Sequence, residues 1–101
     1  MIRRVIYKYQ FSAVANGELN LSLPEKSRVI HVGKQDELVT LWIEQDNSHL
    51  QERREFQIVG TGFETIRINW EHVGTVLMDS GLVWHVYEVL AISSECLLDR
   101  Y

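Results

Sequence analysis

The 101-residue chain holds one cysteine, one proline and no apolar run near the eighteen or so residues that a membrane-spanning helix needs. Cys96, standing alone, cannot close an intrachain disulfide, which fits a reducing cytosol. The opening MIRRVIYKYQF has two arginines but neither the long apolar core nor the cleavage site of a secretory signal. A cytoplasmic location without membrane contact is therefore expected. Basic excess is missing too, since a net charge of −4 argues against wrapping around duplex nucleic acid. His31, His49, His72 and His85 form no HxH or HxxxH pair, so local spacing supports no metal site, and no cofactor is expected. No GxSxG elbow is present, and the carboxylates fall mainly in loops or on polar strand positions. No catalytic residue is assigned, and a non-enzyme is expected.

What the chain does contain is period-two alternation. Its 46% hydrophobic and 24% charged content is that of a soluble globular protein, and its length suits one core rather than two. A single domain over 1–101 is expected, with a core of 1–91 and a tail of 92–101. In VIYKYQF, the residues Val5, Tyr7, Tyr9 and Phe11 share one parity. Asn16-Gly17 signals a turn, and ELNLSL then aligns Leu19, Leu21 and Leu23 before Pro24 ends the strand. SRVIHVGKQ and LVTLWIEQ flank Asp36-Glu37 as a hairpin, and DNSHLQERR, residues 46–54, reads as a mobile surface loop. EFQIV resumes the alternation with Phe56 and Ile58 inward, and HVGTVLM and LVWHVYEVLA form a second hairpin around Asp79-Ser80-Gly81. These segments predict an all-β domain of about seven antiparallel strands, either a β-sandwich or a small open barrel. The tail SSECLLDRY reads either as one helical turn capped by Ser93 or Ser94, or as a frayed strand.

The alternation is imperfect in an informative way. A sheet with one solvated face shows one polar parity per strand. Here Val39, Leu41 and Ile43 fill one parity while Leu38 and Trp42 hold the other, and Val83, Tyr87 and Val89 oppose Trp84 and Val86. Val76 and Met78 likewise oppose Val73 and Leu77. Either a tight sandwich buries both sides locally, or a second chain covers the surplus. The expectation drawn here is a homo-oligomer, a dimer or larger.

The run FQIVGTGFETIRI raises the question of ligand binding, because successive N–H groups in a glycine turn can cradle an anion. Phosphate loops lead from a strand into a helix, and FETIRINW has no helical period, so a P-loop and a Rossmann turn are both excluded. A structural turn or a weaker cradle at Gly60, Thr61 and Gly62 remains. Arg54 and Arg67 are candidates to fork onto a phosphate or carboxylate, although an arginine at a strand end commonly pairs with a nearby glutamate such as Glu52 or Glu55. Trp42, Trp70 and Trp84 could stack on a base, Trp70 and Trp84 being the site candidates, with packing in the core or an interface as the alternative. His85 lies in VWHVYE on an otherwise apolar strand, where an imidazole either finds a partner or lines a pocket.

The succession IYKYQF, LSLPEKSRVIHVGKQ, LVTLWIE, FQIVGTG, HVGTV and LVWHVYE resembles a family of small proteins encoded mostly by tailed bacteriophages, a domain of unknown function. The resemblance spans roughly residues 5 to 89 and is most specific at the FxIxGTG turn and the closing WHVYE. It transfers no catalytic or binding residue. It implies a phage origin and action in the cytoplasm of the host bacterium. With that origin, the leading expectation is counter-defence by a homo-oligomer that sequesters a nucleotide-derived immune signal without breaking it. Arginines and backbone N–H groups would take the phosphate, and aromatics the base. The alternatives are an inhibitor of a host or defence protein, acting through a sheet edge or the acidic stretch EQDNSHLQER, and an enzyme that cleaves the signal with His85 or His72 as acid or base.

Overall fold

The computed structural model describes residues 3–12, 17–64 and 69–90. They form seven strands: β1 (Val5–Phe11), β2 (Gly17–Pro24), β3 (Arg28–Gln35), β4 (Leu38–Gln45), β5 (Gln51–Gly60), β6 (Trp70–Leu77) and β7 (Val83–Val89). Sheet A has the order β1-β4-β3 and sheet B the order β2-β5-β7-β6, with every pairing antiparallel. The sheets do not close on each other, so the architecture is a small sandwich rather than a barrel. No helix among the described residues is long and apolar enough to cross a membrane.

Alternation places the core. Val39, Leu41 and Ile43 of β4 are fully buried, as are Leu23 of β2, Phe56 of β5 and Val86 of β7, with Val32, Ile58, Val76 and Met78 beside them. Each such side chain contributes about 1.5–3 kcal/mol by leaving water. Two bulges explain the odd spacing of the inward residues on β3 and β6. One lies between Val29 and His31 in β3, the other between His72 and Gly74 in β6. A bulge adds one residue and so reverses parity beyond it. Val29 and Val32, and likewise Val73 and Val76, therefore all pack on the core despite their odd spacing.

Strand β3 runs across sheet B. Just before it, Ser27 accepts a hydrogen bond through its carbonyl from Arg54 of β5. In its middle, Val32 faces Gly74 of β6, where a Cβ on the glycine would stand 2.6 Å from the Val32 Cβ. At its end, Lys34 donates to Asp79 in the β6–β7 hairpin. The hydrogen bond with Asp79 raises the lysine pKa, and the same bond lowers that of the aspartate.

Several sequence-based expectations need correction. Gln51–Arg54 are not loop but the start of β5, paired with Pro24–Leu21 of β2. Gln51 and Arg53 lie on the outward face of an edge pair, where Ser22 donates to Gln51 at 3.2 Å and Arg53 to Asn20 at 3.1 Å. The loop is confined to 46–50, with Asp46 accepting from the Ser48 backbone N–H at 3.0 Å. Phe63 and Glu64 follow the GTG turn without strand structure, and the rest of ETIRI lies outside the described residues. So do Asn16 and the tail, with Cys96, Ser93 and Ser94.

Two stability predictions arise. Gly74→Ala forces a methyl onto Val32 and is expected to cost about 1–3 kcal/mol. Because the nearest atom is the Val32 Cβ itself, Val32→Ala in the same chain should fail to restore the melting temperature. At the β3–β4 hairpin, Asp36 and Glu37 both hold left-handed backbone, with φ of 55° and 59°, the pair a two-residue type I′ turn demands. Glu37→Gly is expected to stabilise by about 0.5–1 kcal/mol in denaturant melts, since the exposed Lys34–Glu37 ion pair it removes is worth little.

Candidate functional site

The register of β6 against β7 builds a row of rings on the outward face of sheet B. Trp70, His72, Thr75 and Leu77 stand opposite Val89, Tyr87, His85 and Val83. Thr75 shares a face with His72 only because the bulge at Val73 intervenes. Trp70 and Tyr87 rings lie 4.8 Å apart, Tyr87 and His72 5.4 Å, and His72 and His85 6.3 Å. The first two spacings are those of favourable offset or edge-on ring contacts. Hydroxyls join the imidazoles: Thr75 Oγ1 sits 2.9 Å from His72 Nε2 and 3.2 Å from His85 Nδ1, and Thr61 Oγ1 sits 2.9 Å from His85 Nε2. Trp70 carries a cost, because its indole Nε1 is buried without a hydrogen-bond partner.

Residues 60–63 are a tight turn that delivers Thr61 to this row. Phe63 N–H donates to the Gly60 carbonyl at 3.1 Å, and Gly62, third in the turn, has φ of 94°. A type II turn has that hydrogen bond and requires positive φ at that position. Thr61 N–H donates to the Val83 carbonyl at 3.2 Å, tying the turn to β7. Two of the N–H groups that an anion nest would use are thus already occupied.

The sequence candidates divide accordingly. Gly60, Thr61, Gly62, Trp84 and His85 converge at one end of the β5–β7 pair, with Gly60 against the Trp84 ring and Thr61 against His85. Trp70 occupies the far end of the same row. Trp84 has the opposite parity: it packs against the core and shows one edge to a cleft of about 250 Å³ with Phe63, Leu82 and Val83. Arg54 is turned to the inner face, where it forks onto Glu88, with Nε at 2.6 Å and Nη2 at 2.8 Å from the two carboxylate oxygens. The forked partner is thus Glu88, and Glu52 adds only a smaller Coulombic effect. The Glu88 hydrogen bonds hold the guanidinium pKa above its ordinary value and outweigh the opposing effect of burial. Arg67 lies outside the described residues. The sequence offers His72 only as a catalytic nominee and Tyr87 only as a neighbour of His85 in a pocket, and it gives no direct sign of Thr75. The interior Gly74 was the available sign, since a glycine inside a strand marks a bulge.

Chemically, the row can stack planar groups and offer hydroxyl and imidazole hydrogen bonds. The imidazole partners are threonine hydroxyls, not the carboxylate that orients a catalytic histidine in a triad. Among the described residues, no group of three or more His, Cys, Asp or Glu is arranged to hold a metal ion. In the acidic stretch, Glu44 pairs with Arg4 and Arg28, so part of its charge is locally balanced.

The chain belongs to the family described as a domain of unknown function, DUF7352, whose model matches residues 2–94. No curated protein and no solved structure matches it. The family description assigns no activity, so a functional reading rests on the outward face of sheet B.

Arg54 itself is expected to behave as a structural residue. Arg54→Ala leaves Glu88 half-enclosed without its partner and releases the Ser27 carbonyl, so thermal or urea melts should show a loss of about 2–4 kcal/mol. Glu88→Gln, which keeps an acceptor for the guanidinium, should lose less.

Proposed function

We propose that this domain is a non-catalytic binding protein that holds a nucleotide-type molecule against the outward face of sheet B and works as a homo-oligomer. The observation that carries the reading is the continuous row Trp70–Tyr87–His72–His85, set on a sheet face rather than in the core and closed at one end by the Thr61 hydroxyl. A base stacked on such a platform gains about 1–3 kcal/mol without demanding one particular sequence. An indole retained with an unmade hydrogen bond supports a role beyond packing. For the phosphate, Arg67 is the arginine we assign, since it lies in the chain between the turn that carries Thr61, at one end of the row, and Trp70 at the other. Arg54 is committed to Glu88. The resemblance to tailed-phage proteins, carried by FQIVGTG, HVGTV and LVWHVYE, supports a setting in the cytoplasm of an infected bacterium. There the molecule held would be a nucleotide-derived immune signal, and holding it would blunt antiviral defence.

Mass spectrometry of the protein purified from infected cells, native and then heat-extracted, tests this. The expected result is an intact nucleotide-type molecule released by heat, with Trp70→Ala and Tyr87→Ala each weakening its retention by about tenfold or more. Conversion of the added molecule would instead establish an enzyme. A co-purifying host protein with no small molecule would replace this reading with that of a protein inhibitor.

A further inference from the structure

The free edge of β1 points to the surface through which copies meet. This inference rests on the homo-oligomer in the reading above and assigns its interface. Of the four edge strands, β3 and β6 are interrupted by bulges and face each other at Val32 and Gly74, and β2 ends in Pro24. Bulges, prolines and charges are the devices that keep sheet edges from pairing. β1 has neither of the first two. Its seven residues run in unbroken register with β4 on one side, and among the described residues nothing pairs its other side.

The remaining guard would be Lys8, and it is drawn away from the edge. Its ammonium reaches across β4 to Gln35 Oε1 of β3, at 2.6 Å, while Gln10 leans the same way onto Gln35 and Thr40. Arg4 turns inward over the sheet as well, toward Glu44 at 3.7 Å. Beside the exposed Lys8 and Gln10, β1 leaves a run of apolar surface: Val5, Ile6 and Tyr7 are 43%, 52% and 41% exposed.

We propose that β1 pairs antiparallel with β1 of a second copy about a two-fold axis at Tyr7, joining the two three-stranded sheets into one of six. A strand is self-complementary under that symmetry, which gives a closed dimer. The alternation continues across the seam, so Val5 faces Tyr9 of the partner strand on the inner side and Ile6 faces Lys8 on the outer side. Charge favours this register. It sets Arg4 opposite Gln10 and Arg3 opposite Phe11, so no two cations are directly opposed, whereas an axis at Lys8 would oppose the two lysines.

Light scattering of the full chain at micromolar concentration should give twice the 11.8 kDa chain mass. Ile6→Lys places a lysine opposite Lys8 and should raise the dimer dissociation constant at least tenfold. Adding Lys8→Glu to that variant restores an opposite pair and should recover dimerisation, which a merely misfolded variant would not do. A wild-type mass of one chain overturns both this interface and the oligomeric part of the functional reading. A dimer indifferent to Ile6→Lys overturns the β1 interface alone. If Ile6→Lys is monomeric and still retains the nucleotide-type molecule, the interface stands and binding belongs to the single chain.

Discussion

The bulge at Val73–Gly74 decides both faces of sheet B. On the inner side, the extra residue lets Val73 and Val76 pack together, and the absence of a Cβ at Gly74 gives Val32 room to lie on β6. On the outer side, the same change of parity brings Thr75 onto the face of His72, directly opposite His85. A regular strand would have kept Thr75 on the inner parity and broken the link between the two imidazoles. Core closure and the ring row therefore share one backbone irregularity, and neither can be altered there without the other.

That coupling explains why the fold was more legible in the sequence than the site. The limits of Val5–Phe11 and Leu38–Gln45 can be read from apolar parity even though Ile6, Leu38 and Trp42 stand on the second parity. The first half of β5 could not be read in that way, because Gln51–Glu55 are polar on both parities. What holds them in the sheet is pairing with β2, a contact between residues about thirty positions apart. The surplus of apolar residues on β6 was visible, but it mixed two causes. Val73 is inward because of the bulge, whereas Leu77 stays on the outer face and largely exposed. Parity counting cannot separate these without the register.

Arg54 shows the same limit in electrostatic terms. Its parity with Phe56 and Ile58 was readable and placed it on the inner face. An arginine there needs a partner, because an unpaired charge at the edge of a core is costly. The partner, Glu88, lies 34 positions away on β7, and the ion pair helps hold β3 through the Ser27 carbonyl. Local sequence pointed to Glu52 and Glu55; Glu55 projects to the opposite face, and Glu52, on the same face, adds only a Coulombic contribution behind the Glu88 hydrogen bonds. Lys8 follows the same rule from the other sheet: its charge is used across the sheet surface, on Gln35 of β3.

The proton arithmetic of the outward face sets how a bound molecule would be felt. Thr75 has one hydroxyl proton and stands between nitrogens of two imidazoles. For uncharged rings, a fully used network runs in one of two directions. In the first, His72 Nε2–H donates to Thr75, Thr75 to His85 Nδ1, and His85 Nε2–H to Thr61. In the second, every donor and acceptor is exchanged. A molecule that takes the Thr61 hydroxyl proton favours the first, leaving Thr61 to accept from His85, and one that donates to Thr61 favours the second. The choice passes through His85 and Thr75 to His72, whose ring lies against Tyr87 in the middle of the stacking row. Polar contact at the turn and stacking along the sheet are thus parts of one arrangement, held in place by the bulge.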